Sequence, residues 1–305
     1  MSLNDGNGGP PVGRPIVFGE VLFDTFADGE KVLGGAPFNV AWHLQGFGQE
    51  PLLVSRIGID PLGEQVLDTM RRWGMDSSGM QRDPKHPTGR VQVTVEAGQP
   101  DYSILAEQAY DFIEPPRLQR QPFALLYHGS LVTRGPVSRK ALRQLRHDIR
   151  LPTFMDVNLR TPWWEHGVVV EQLKQARWAK LNDEELEVLL QQPISREEIT
   201  EAGSRLRAST GLELLVVTMG ADGAWIFGPQ DARYGEPEAV EGLVDTVGAG
   251  DAFSAVTLLG LLNGWEVPVT LRRALQFAAR ICQQRGATRL APALYAEFSQ
   301  RWQDE

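Results

Sequence analysis

The chain has a single cysteine, Cys282, in 305 residues, so no internal disulfide can hold it together. A reducing cytoplasm is the expected setting. Its five histidines (His43, His86, His128, His147 and His166) show no metal-ligand spacing. The Gly-x-x-x-x-Gly-Lys-Ser/Thr loop of the P-loop nucleotide binders is missing. No apolar run is long enough to span a bilayer; the most apolar, Ala252 to Leu262, reads as a buried helix. Basic residues are in deficit, 30 against 39 acidic, for a net charge of −9. That argues against a general nucleic-acid or anionic-membrane binder. Internal repeats are absent too.

With 42% hydrophobic and 23% charged residues, an ordinary globule with a sizeable core is expected. The first residues, Met1 to Pro11, are polar and rich in glycine and proline, and no signal-peptide pattern is visible. They predict a disordered leader over 1–14, with one folded domain over 15–305.

Two kinds of strand signal follow. Ile16-Val17-Phe18-Gly19-Glu20, Leu52 to Gly58, Phe123 to Gly129, Thr153 to Asn158, Trp178 to Leu181 and Leu214 to Thr218 are mostly continuous apolar runs. Helical spacing alternates with them, at Val40–Phe47, Pro61–Trp73, Val137–Asp148, 168–176, Asp183–Leu190 and 195–209. That alternation predicts an α/β fold with a mostly parallel central sheet flanked by helices. Val91-Gln92-Val93-Thr94-Val95 instead alternates with period two, and Tyr102–Leu105 reads as its hairpin partner across Ala97-Gly98-Gln99-Pro100. These segments predict a small β lid formed by about 21–33 and 89–108. Asp24 is read in a polar turn.

Ligands of parallel sheets bind at the carboxyl ends of the strands. His128-Gly129, Asp156-Asn158, Asn182 and Thr218-Gly220 fall at such ends. The most informative stretch is Val244-Asp245-Thr246-Val247-Gly248-Ala249-Gly250-Asp251. A Gly-Ala-Gly turn there runs into the apolar helix. Unpaired N–H groups at a helix start make an anion site, and Asp251 stands beside it as a potential proton acceptor. An anion hole next to a base suits phosphoryl transfer to an alcohol.

Asp245-Thr246-Val247-Gly248-Ala249-Gly250-Asp251 resembles the C-terminal signature of the ribokinase-like (PfkB) carbohydrate kinases. Gly34-Gly35-Ala36-Pro37-Phe38-Asn39 resembles their N-terminal Gly-Gly-x-x-x-Asn element. Asp156-Val157-Asn158-Leu159-Arg160, Asn182-Asp183-Glu184-Glu185 and Thr218-Met219-Gly220-Ala221-Asp222-Gly223 match further elements, so the resemblance covers about residues 16–300.

The resemblance implies ATP-dependent phosphorylation of a sugar hydroxyl, with Asp251 as general base and the N–H groups of Gly248, Ala249 and Gly250 as anion hole. It implies a sugar site at Asp24, Gly34, Gly35, Asn39 and Arg160. Asn182, Thr218, Gly220, Gly223 and Gly286 are implied on the nucleotide side. Glu185 would serve Mg²⁺ through water, and Asp245 a K⁺ ion. A homodimer through the lid is also expected, with Val91, Val93 and Val95, or their partners, as exposed apolar positions. Trp163-Trp164 reads as a loop wall, with stacking against sugar as an alternative.

The fructokinase-like branch is the nearest, through Gly19-Glu20-Val21-Leu22-Phe23-Asp24. Relatives acting on 2-keto-3-deoxygluconate often carry Tyr-x-Arg in the lid; here the stretch is Tyr102-Ser103-Ile104. Ile104 cannot pair with a carboxylate, which favours a neutral hexose such as fructose. Arg90 keeps the acid as an alternative. Lys31 is the one nearby cation for a sugar phosphate. A non-catalytic sugar-sensing protein on the same fold is the alternative of another class.

Overall fold

The computed structural model describes residues 10–96, 99–118, 121–237, 240 and 242–305. Seven strands form the parallel body of one sheet: β1 (Arg14–Phe18), β4 (Leu52–Gly58), β5 (Met80–Asp83), β8 (Phe123–Gly129), β9 (Thr153–Asp156), β10 (Trp178–Asn182) and β11 (Leu214–Thr218). Antiparallel β12 (Ala224–Phe227) and β13 (Ala232–Gly235) extend one edge, giving the order β13-β12-β11-β10-β9-β8-β1-β4-β5. Arg14 is already in β1 and pairs with Asp76; residues 1–9 of the expected leader lie outside the described residues.

Successive side chains in a strand point to opposite faces, and both faces here are apolar. Val17, Leu125, Tyr127, Phe154, Trp178 and Val216 pack on one side. Against them lie α1 (Ala36–Gly46), α2 (Pro61–Arg72), α7 (Ala249–Asn263), α8 (Val267–Ile281) and α9 (Pro292–Asp304). Met155, Ala179, Leu181, Leu215 and Val217 face α4 (His166–Lys174), α5 (Asp183–Leu190) and α6 (Ile199–Thr210). Ile16, Phe18 and Leu126 face α3 (Pro136–Ile149). Helix α7 is buried from Ala252 to Leu261 on every side. No helix of the described residues is long and apolar enough to cross a membrane.

A second sheet has the order β3-β2-β6-β7, from β2 (Leu22–Phe26), β3 (Lys31–Gly34), β6 (Gly89–Glu96) and β7 (Gln99–Ile104). It is the expected lid. Asp24 lies within β2 rather than in a turn, and Gln99 and Pro100 pair in β7. The exposed apolar row is corrected. Val91 and Val93 are 4% and 1% exposed, and Val91 packs with Leu22, Ile104, Tyr110 and Ile113. The lid spends these residues on its own molecule, so they offer nothing to a second copy. The side chain of Val95, like residues 97–98, lies outside the described residues.

The β4–α2 connection ties the body to the lid. Asp60 caps α2 by accepting from Gly63 N at 2.8 Å, and it also takes Thr88 N and Thr88 Oγ1, both at 2.8 Å. Thr88 leads into β6. Loss of a helix cap and its partners costs about 2 kcal/mol. Asp60→Ala is expected to lower stability by that amount, read as a fall in the urea midpoint with unchanged slope.

Candidate active site

Helix α7 begins at Gly248, whose φ of +83° suits glycine; a Cβ there would stand 2.3 Å from that of Ala287. The first bond of the helix runs from Ala252 N to Gly248 O at 2.8 Å. The N–H groups of Gly250 and Asp251 precede it and have no intrahelical acceptor. Ala249 N donates to Thr246 O at 3.3 Å, so its contribution to an anion hole is shared.

Asp251 meets the opposite wall of the cleft. Asn39 Nδ2, on α1, donates to Asp251 Oδ2 at 2.7 Å. Asn39 is 5% exposed and its Oδ1 has no partner. Gly35 caps α1 at φ +103°, where a Cβ would meet Glu20 O at 2.8 Å. A Cβ on Gly34 would stand 3.6 Å from Asp24 Oδ2. Asp24, Gly34, Gly35, Asn39 and Asp251 therefore gather at one place, four of them from the consecutive elements β2, β3 and α1 and the last from α7, 212 residues beyond Asn39.

Their electrostatics are unusual. Burial pushes Asp251 up to about 6; the Asn39 hydrogen bond opposes this, Asp156 adds to it, and Lys180 and Arg160 pull it down. Burial likewise raises Asp24 to about 6, against Arg160. Glu20, 3% exposed, rises to about 7 through burial and the Asp251 charge, against its own backbone N–H, Arg160 and Arg134. Arg160 is exposed, yet it is the guanidinium common to all three carboxyls.

The residues expected at the nucleotide lie on the β10–α5 connection, at the end of β11 and its turn, and in the loop after α8. Asn182 and Glu185 cap α5 reciprocally: Asn182 Oδ1 accepts from Glu185 N at 2.7 Å, and Glu185 Oε2 from Asn182 N at 2.9 Å. Glu185 Oε1 accepts from Leu159 N at 2.6 Å. Burial raises the Glu185 carboxyl. Thr218 ends β11, and Gly220, at φ +55°, faces open space. Gly223 is buried, and a Cβ there would meet Gly235 O at 2.2 Å, so turn packing is enough to require it. Asp245 accepts from Val247 N at 3.0 Å and Gly286 N at 3.1 Å, joining two loops.

Two sequence readings change. His128 is fully buried, with its Nδ1 on Gly129 O and its Nε2 on Arg146, so it does not face the cleft. The guanidinium of Arg134 lies 4.4 Å from the Trp163 ring centre, which occupies that face of the ring. Arg134 also lies 5.0 Å from the Tyr110 ring. Residues that the motifs did not flag as functional also stand here. They are Glu20 and the three partners of the strand-end Asp156, namely Lys180, Tyr127 and Ser254. A charged residue inside an apolar strand, Lys180 in β10, was the available signal.

Residues 19–294 match the pfkB family carbohydrate kinase pattern. The fructokinase of Klebsiella pneumoniae is 30% identical over 271 residues, 82% of this chain and 84% of that one. A Vibrio cholerae O395 fructokinase double mutant bound to fructose, ADP and potassium superposes with a TM-score of 0.79. It has 26% identity, over 95% of this chain and 99% of that one. An uncharacterized Pyrococcus horikoshii sugar kinase in complex with ATP gives 0.73 at 25% identity, over 90% and 93%. The family match over residues 19–294, on a scaffold shared with these enzymes over most of its length, identifies the chain as a sugar kinase of the pfkB carbohydrate kinase family.

Proposed function

We propose that the protein transfers the γ-phosphoryl group of ATP to a hydroxyl of a neutral hexose, fructose first. The observation that carries this reading is the Asn39–Asp251 hydrogen bond at the start of α7. It sets an acceptor for the hydroxyl proton beside backbone N–H groups that lack partners. Asp24, Gly34, Gly35, Asn39 and Arg160 hold the sugar: the carboxylate accepts hydroxyl hydrogens, and the glycines let backbone approach. Asp251 takes the proton as the oxygen attacks phosphorus. The Gly248-Ala249-Gly250 turn, Gly250 foremost, stabilises the charge on the transferring group.

Charge also argues for a neutral acceptor. Three carboxyls share Arg160, while Arg134 and Lys180 are already paired with Asp111 and Asp156, and Ile104 is 9% exposed at the lid position where a cation would meet an acid. Arg90 and Lys31 are exposed on the lid. A carboxylate or phosphate on the sugar would meet net repulsion.

ATP sits along Asn182, Thr218, Gly220, Gly223 and Gly286. No group of three or more metal-binding side chains exists among the described residues. That donor set fits Mg²⁺, which keeps several waters and is held chiefly by phosphate oxygens. Bound there, it would neutralise phosphate charge, and Glu185 would be the carboxylate to hold it through water. Asp245 retains lone pairs for K⁺ on oxygens already steadied by Val247 and Gly286.

The test is ADP release with fructose, ribose, 2-keto-3-deoxygluconate, fructose 6-phosphate and adenosine. Fructose is expected to turn over best; preference for the acid would sink the neutral-hexose reading. Asp251→Asn is expected to lower kcat by ~10²–10⁴-fold, the usual worth of a general base. A variant within a few-fold of wild type would remove Asp251 from that role. Because the base must be ionised, kcat/KM should fall as pH drops through about 6, losing tenfold per unit below it.

Glu20 makes a separate prediction about stability. Its folded pKa of about 7 lies above the ordinary 4.5, so its burial is free of charge cost in acid and destabilising above pH 7. Glu20→Gln should therefore raise the melting temperature at pH 8 by a few degrees and leave it nearly unchanged at pH 4.5. The upper bound is about 3 kcal/mol. An equal effect at both pH values would show that charge is not the cause.

A further inference from the structure

A buried ion pair lies beneath the first turn of α7. Lys180 Nζ donates to Asp156 Oδ1 at 3.0 Å and to Oδ2 at 3.1 Å. Asp156 is 1% exposed and Lys180 7%. The two are register partners on adjacent strands, and the other neighbour of Lys180 is the apolar Val216. Asp156 Oδ2 also accepts from Ser254 Oγ at 2.7 Å and from Tyr127 OH at 3.3 Å. Ser254 follows Asp251 by three residues, so both occupy one side of α7. A Cβ built on Gly250 would stand 3.6 Å from Lys180 Nζ. The pair is thus pinned to the same helical turn that carries the base.

Buried ion pairs contribute little to stability, because desolvation offsets their attraction. Here their placement has a different consequence. One member is an anion and the other a cation, and both lie close to Asp251 in a medium that screens poorly. The anion discourages ionisation of Asp251, and the cation favours it. The other groups at Asp251 are Asn39 from α1, Asp24 from β2, Arg160 from the loop after β9, Glu20 after β1 and Tyr127 from β8. Tyr127 stays neutral, since burial raises its phenol well above the ordinary value.

We propose that Asp156 and Lys180 are opposed positioning residues that set the proton affinity of the base Asp251 from beneath the helix start. This rests on the reading of Asp251 as the base. Neither side chain touches the reacting atoms. Each acts on them through Asp251, and removing one leaves the other uncompensated. Loss of Lys180 leaves an anion that makes Asp251 harder to ionise. Loss of the Asp156 charge leaves a cation that makes it easier.

The experiment is a ¹³C NMR titration of the aspartate carboxyls in the full chain, with the Asp251 resonance assigned by its absence from Asp251→Asn. Wild type, Asp156→Asn, Lys180→Gln and the double variant are compared, and the pH profile of kcat/KM for the sugar is recorded alongside. The expected result is a fall in the Asp251 pKa in Asp156→Asn and a rise in Lys180→Gln. Each should be about one unit or more, as for a charge within a few ångströms. The double variant should return close to wild type, and the acid limb of the rate should move in the same directions. Shifts of one sign in both single variants would overturn the proposal, because loosening of the helix start would hydrate Asp251 equally in either. Absence of a shift in both would also overturn it. Should Lys180→Gln fail to fold, the near-isosteric Asp156→Asn decides by its sign alone: an unchanged or raised Asp251 pKa refutes the proposal. The titration needs no turnover. A wild type inactive on every sugar would therefore defeat the functional reading and leave the electrostatic result to stand or fall separately.

Discussion

The structure depends on one helix that has no solvent face. From Ala252 to Leu261, α7 is buried all round, with α1 and α8 packed against it. A helix so enclosed cannot shift to relieve its ends. Its N-terminus must be right where it emerges, at the carboxyl edge of the sheet. Gly248 makes that start possible in a left-handed conformation pressed against Ala287. Asp251 then enters the cleft with the helix start behind it. A carboxylate there is favoured by the dipole and disfavoured by lost water. The balance leaves it near 6, ionised at neutral pH yet not so acidic that it has no affinity for a proton.

The same crowding explains why the cleft is electrically strained. Glu20, Asp24 and Asp251 are all pushed upward by burial, and the guanidinium they share, Arg160, is exposed. Asn39 Oδ1 and Glu20 Oε2 are buried without partners. Folding alone gives no reason to place unpaired acceptors there, since each one costs desolvation. Hydroxyl groups of a polyol are donors, and would satisfy them. Unpaired buried atoms occur elsewhere too, as at Ser55 and Trp178, but these two acceptors stand beside Asp251, where a donor-rich ligand would meet them.

Much of this was legible beforehand, and the exceptions have physical causes. Strands β4, β8 and β11 and helix α5 matched their expected bounds to the residue, because each is a dense apolar run or a capped turn. The edge strands β5 and β13, and the four-residue β12 beside β13, were missed. An edge strand is short and half polar, as Met80-Gln81-Arg82-Asp83 is, so it carries little periodic signal. Asp24 was read in a turn because Leu22-Phe23-Asp24-Thr25-Phe26 does not alternate. Its strand is defined by pairing to β3 and β6, which are distant in sequence. The alternation of Val91 and Val93 was real, but whether their face meets solvent depends on Tyr110 and Ile113 across the molecule. In the site, glycines and acids at motif spacing were visible. Glu20, Lys180 and Ser254 were not, because a lone polar residue in an apolar run has no pattern until its partners are placed.

The lid shows how unequal two superficially similar ion pairs can be. At its base, Arg134 makes paired 2.7 Å bonds to both oxygens of Asp111 and a third to Leu105 O just beyond β7. Those side chains are 6% and 8% exposed, and the guanidinium lies between Tyr110 and Trp163. Breaking that pair would strand a buried charge, at a cost of about 3–5 kcal/mol. At the opposite end, Glu30, just before β3, pairs with Arg285, and Val32 lies near Gly286, whose N–H holds Asp245. There the side chains are 40% and 70% exposed. Such a pair contributes about 0–1 kcal/mol and weakens with salt. The lid is therefore fixed where it joins the acceptor wall and loosely held where it touches the loop beside α7. Any relative movement must be concentrated at the Glu30–Arg285 end, with the Arg134 cluster as its fixed point.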